Sequence, residues 1–70
     1  MDNAEIRALR RHEVLRKTGL SRVQLDRLEH KDLFPKRFLL SERIVAWLAS
    51  EVDEWLLGRA AARVSGNAVE

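Results

Sequence analysis

Seventy residues, 46% apolar and 34% charged with a net charge of +2, describe one modest globular domain rather than a disordered tail, with a core that typically nets only about 3–5 kcal/mol. No apolar run approaches the roughly 20 residues of a membrane span, and the acidic opening MDNAEIRALRR lacks the apolar stretch of a secretory signal, so the expected location is cytoplasmic. Cysteine is absent, which removes disulfides, thiol nucleophiles and thiolate metal sites; His12 and His30 stand too far apart for a local ligand pair, and neither a metal nor another cofactor is expected.

In chain order, AEIRALRRHEVLRKTG places Ile6, Leu9 and Val14 at an imperfect helical spacing. The stop is clearer, because Lys17 suits the carbonyl end of a helix and Gly19 just beyond can adopt φ > 0. The expectation is a helix from about His12 to Thr18, with Ile6 to Arg10 either extended or helical. The next run, LSRVQLDRLEHKD, offers Ser21 as N-cap and Gln24 three residues later as the second half of a capping box, with Leu20 as a hydrophobic staple. Leu25 and Leu28 share one face, while Arg22, Gln24, Arg27 and Lys31 fall largely elsewhere. Helix, glycine turn and helix is the order of a helix–turn–helix, although short amphipathic helices also join this way in plain bundles.

LFPKRFLLSERIVAWLA changes period. Pro35 lacks a donor and disfavours helix at Phe34, Phe38 and Leu40 alternate, and Ile44, Val45 and Trp47 supply β-branched and aromatic residues. The expectation is a β-hairpin with strands at about 36–40 and 43–47, turned at Ser41-Glu42, although neither turn residue favours φ > 0. SEVDEWLLGRAAARV then starts a helix at Ser50 as N-cap, with Glu51, Asp53 and Glu54 at the positive end of its dipole. Val52, Trp55, Leu56 and Ala60 mark its buried stripe, and Gly58 weakens its interior. The tail VSGNAVE is expected to fray, leaving an ordered core of about 6–64 in a single domain 1–70. Trp47 and Trp55 read as core residues that pin the hairpin to the last helix.

Taken together, EVLRKTGLSRVQLDRLEHKDLFPKRFLLSERIVAWLASEVDEWL, residues 13–57, resembles the AlpA family of small phage and prophage regulators. These are similar in turn to excisionases and to the winged-helix head of MerR-type regulators. The resemblance rests on TGLSR, the apolar positions around Arg27, FPK, Arg43 followed by Val45 and Trp47, and SEVDEW, in this order and spacing. Five positions depart from the family pattern. Asp26 stands where an aromatic residue is usual, Asp32 where glycine precedes the FP step, and Arg37 where proline is frequent; Ser41 replaces the glycine of the wing turn, and Leu39 replaces a basic residue of the first strand.

The resemblance implies an α+β, mostly helical fold: a small winged helix-turn-helix with a two-stranded wing and a C-terminal helix. It implies that Ser21 to Lys31 form the recognition helix, with Arg22 and Arg27 forked to guanines and Gln24 paired to adenine. Ser21 either caps that helix or donates to a phosphate, while Lys31, Lys36, Arg37 and Arg43 grip phosphates without reading sequence. The alternative for the basic residues is structural: Arg27 could pair with nearby carboxylates and Arg43 could brace the hairpin. Residues 1–43 carry eleven Lys/Arg against seven Asp/Glu and residues 44–70 two against four, a division that suits one face toward a polyanion. The implied partner is double-stranded DNA, together with further copies of the chain on adjacent sites, with no membrane and no small-molecule substrate. The role is that of a transcriptional regulator or an excisionase-like architectural factor. No nucleophile–base pair, phosphate-cradling glycine loop or metal cluster can be assembled, so an enzyme is not expected. The rival reading is a protein-binding module that docks onto a response regulator or recombinase, supported by Leu39 and the Ala60–Ala62 stretch.

Overall fold

The helix–turn–helix is closed by local hydrogen bonds that its sequence supplies. The computed structural model describes residues 6–63, in which α1 spans Arg11–Thr18 and α2 spans Arg22–His30. At the start of α1 a Glu13 carboxylate oxygen accepts from the Arg10 amide at 2.8 Å, and this backbone bond, helped by Arg7, holds the Glu13 carboxyl below its ordinary value. At its end Gly19 takes φ 80° and donates its amide to the Leu15 carbonyl at 2.8 Å, the left-handed cap expected of this glycine. The Ser21 Oγ accepts from the Gln24 amide at 3.1 Å, and the Gln24 Oε1 accepts from the Ser21 amide at 2.9 Å. The capping box is therefore complete, and Leu20 packs against the core that contains Leu25.

At its far end α2 stops in a Schellman arrangement, with the Asp32 amide on the Glu29 carbonyl (3.0 Å) and the Leu33 amide on the Leu28 carbonyl (2.8 Å). Asp32 has φ 60° and is the one non-glycine residue with positive φ among the described residues. The glycine that the family pattern places here has a physical reason, and aspartate tolerates the same angle better than most residues.

The chain then enters a three-stranded antiparallel sheet of order β1-β3-β2, where β1 is Ala8–Leu9, β2 is Phe38–Ser41 and β3 is Ile44–Leu48. Segment 6–10 is thus extended, and its pairing of Ala8 with Leu48 and Leu9 with Trp47 adds a strand to the expected hairpin. In the wing, Phe38 opposes Ala46 and Leu39 opposes Val45, but Ser41 opposes Ile44, so Leu40 is an extra residue in β2. That bulge moves the turn to Glu42–Arg43, one residue later than expected. None of the turn residues takes positive φ, so Ser41 in place of glycine causes no backbone strain.

Helix α3, Ala49–Ala61, follows β3 without a loop, and the expected N-cap Ser50 is instead its second residue. Leu48 occupies the cap position, and the Ala49 amide donates to the Arg7 carbonyl at 2.9 Å. One unpaired helix-end donor is thereby satisfied by the residue that precedes β1 rather than by a capping side chain.

Leu9, Val14, Leu25, Phe34, Trp47 and Val52 form the core, with Leu15, Leu20, Leu28, Val45, Ala49 and Trp55 packed against it. The Phe34 and Trp55 rings meet edge to face at 4.7 Å, and the Trp55 indole donates to the Leu33 carbonyl at 2.8 Å. Val52 is fully buried, but Leu56 is half-buried and Ala60 is exposed, so the expected stripe on α3 ends a turn early. The architecture is α+β and mostly helical, a small winged helix–turn–helix in which β2–β3 is the wing. The expected fraying of residues 64–70 lies outside the described residues.

Candidate nucleic-acid interface

A helix turns about 100° per residue, which sorts the side chains of α2 into faces. Leu25 is buried and Leu28 and Glu29 are half-buried, so this side faces the molecule. Val23, Arg27 and His30 lie opposite, and Arg22 and Gln24 flank that row; all five are exposed. Among the described residues no carboxylate lies within ion-pair distance of Arg22, Arg27, Lys31 or Arg43. The structural alternative for Arg27 and Arg43, pairing or bracing, therefore finds no partner there. Arg43 sits at the tip of the wing turn and is exposed.

The remaining candidates are engaged locally. Ser21 and Gln24 hold the capping box. Lys36 pairs with Asp32 at 2.7 Å on the surface, and this contact raises the Lys36 ammonium and lowers the Asp32 carboxyl from their ordinary values. Arg37 is held most firmly. Its Nε lies 3.1 Å and 3.3 Å from the two Glu29 carboxylate oxygens and a second guanidinium nitrogen also meets Glu29. The Glu29 hydrogen bonds raise the guanidinium further above its ordinary value.

Around this pair the two acidic residues of α2 are neutralised from other elements. The Trp47 indole donates to the second Glu29 oxygen at 3.0 Å, and the guanidiniums of Arg37 and Arg11 lie 5.3 Å and 5.8 Å from the centre of the Trp47 ring. Asp26 accepts from Arg11 at 3.0 Å and lies 3.6 Å from Arg37. Asp26, Glu29, Arg11, Arg37 and Trp47 thus tie α1, α2, the coil before the wing and β3 together. Arg11 and Glu29 carried no sequence motif. Asp26 and Arg37 did carry a signal, since two departures of opposite charge from one family pattern are what a compensating pair would leave.

The open groove between residues 32–36 and α3 has Phe34, Pro35 and Trp55 along it and carries Glu51 and Glu54, the wrong charge for a polyanion. Exposed cations that meet no carboxylate among the described residues lie on and beside α2 (Arg22, Arg27, Lys31) and at the wing tip (Arg43), and also at Arg10, Arg16, Arg59 and Arg63.

A winged helix–turn–helix whose second helix exposes arginines that meet no carboxylate among the described residues is the class that this geometry defines. Residues 7–60 match the family model described as prophage CP4-57 regulatory protein (AlpA), and the chain belongs to that family. It is 43% identical over 65 residues to the uncharacterized protein ORF88 of Enterobacteria phage P4, across 93% of this chain and 74% of that one. It is 36% identical over 64 residues to the DNA-binding transcriptional activator AlpA of Escherichia coli (strain K12), across 83% of this chain and 91% of that one. No solved structure matches it.

Proposed function

We propose that the chain is a duplex-DNA-binding transcriptional regulator of phage or prophage type that places α2 in the major groove. The observation that carries this reading is the division of charge on α2. Its carboxylates Asp26 and Glu29 are covered by Arg11 and Arg37 from neighbouring elements, whereas Arg22, Arg27 and Lys31 meet no carboxylate among the described residues. The name of the Escherichia coli relative supports it.

In this reading Arg22 in the first turn of the helix and Arg27 beyond its middle fork to guanine edges. Gln24 pairs with adenine while it caps, because its carbonyl oxygen has two lone pairs. Ser21 acts through the cap. Lys31, Lys36 and Arg43 meet phosphates, Lys36 after exchanging Asp32 for the DNA backbone. Arg37 reaches a phosphate only by leaving Glu29, so its main part is to hold the helix that reads. A single recognition helix makes few contacts, and tight binding calls for two or more copies on adjacent sites. Bending of a fragment carrying several sites would mark the excisionase-like role, and simple promoter occupancy the regulator.

Arg22→Ala is expected to relax base preference at a cost of about 1–3 kcal/mol, whereas Lys36→Ala weakens all sequences alike and reduces the salt slope by about 1. Fluorescence anisotropy against salt, with footprinting, checks both; identical affinities and footprints for wild type and the two variants would overturn the assignment. The second reading, docking onto another protein, is favoured by the apolar edge strand β2, where Leu39 is 67% and Leu40 is 52% exposed. Such a contact would respond weakly to salt.

A further inference from the structure

The row of α2 that faces solvent begins with an apolar side chain. Val23 is the second residue of the helix, is 62% exposed and lies outside the core. It precedes Arg27 by four residues and His30 by seven, the spacing that lines side chains along one face. A β-branched residue at an exposed helical position gives up some helix propensity, and Val23 is more exposed than buried and packs into no part of the core.

We propose that Val23 is a subsite for the C5-methyl group of one thymine, next to the base read by Arg22 or Arg27. This inference rests on the major-groove reading above and deepens it. An isopropyl group neither donates nor accepts a hydrogen bond, so it cannot read nitrogen or oxygen on a base edge. Thymine's methyl is the one apolar group that the four bases present in the major groove. Val23 lies in the first turn of α2, the part of a recognition helix that approaches base edges most closely. The cationic neighbours Arg22 and Arg27 fix the helix over adjacent positions, which leaves Val23 to distinguish thymine from cytosine by shape alone.

The test uses the preferred duplex returned by selection from random sequences. Each thymine is replaced singly by deoxyuridine, which deletes only the methyl group, and affinity is measured by fluorescence anisotropy. One position is expected to weaken wild type about fourfold, the factor for about 0.8 kcal/mol per methyl-sized group withdrawn from water. Val23→Ala is expected to bind the thymine and deoxyuridine duplexes equally, and Val23→Thr, which keeps one γ-methyl, to retain the preference. Wild type indifferent at every thymine, or Val23→Ala as sensitive as wild type, would overturn the inference while leaving DNA binding intact. A selection that returns no preferred duplex would overturn base reading by α2 and this inference with it.

Discussion

At φ 60° Asp32 adopts a conformation that costs an L-residue stability and that glycine adopts freely. The side chain recovers part of that cost through Lys36, but both partners are more than two-thirds exposed, and solvent screening leaves such a pair a small contribution. Relief of the backbone strain at φ > 0 is therefore expected to make Asp32→Gly more stable by about 0.5–1 kcal/mol. Asp32→Ala, which loses the pair and keeps the strain, is expected to lower it. Urea denaturation midpoints for the three proteins decide this, and a Gly variant less stable than the Ala variant would contradict it. The cap angle was legible in the sequence only through the family pattern, since nothing in HKDLFP alone calls for φ > 0 at its aspartate.

Helix α2 is held at three places: the Ser21–Gln24 box at its start, the Schellman turn at its end, and Glu29 in between. Glu29→Ala would leave the Trp47 indole and the Arg37 guanidinium without their acceptor. Because Arg37 is about one-third exposed and can be re-solvated, the expected loss is about 1–3 kcal/mol, below that of a fully buried pair. The readouts are a lower denaturation midpoint and an altered near-ultraviolet signal from Trp47; no change in either would remove Glu29 from the frame that positions α2. Elements whose signals lie within a few residues were readable in the sequence. These include the glycine stop of α1, both halves of the capping box, the apolar face of α2 and the β-branched run of β3. The elements that were not readable depend on distant partners. Two-residue β1 exists because Trp47 and Leu48 lie beside it, and α3 starts at Ala49 because the Arg7 carbonyl takes its amide. The bulge at Leu40 likewise depends on β3 register and shifts the wing turn by one residue.

Across the molecule, the positive excess of residues 1–43 is not spread evenly once the chain folds. Arg11, Lys17, Lys36 and Arg37 meet carboxylates, and the cations without such partners among the described residues include Arg22, Arg27 and Lys31 on or beside α2 and Arg43 on the wing. The candidate list from sequence contained these four but could not separate them from Arg37, since pairing with Glu29 and Trp47 is set by the tertiary fold. Heteronuclear NMR of the labelled protein titrated with its selected duplex tests this division most directly. Amide shifts are expected at residues 21–31, around Lys36 and at 41–43, with 51–61 of α3 nearly unmoved. Shifts confined to α3 and the groove beside Trp55, or no shifts on α2, would contradict it.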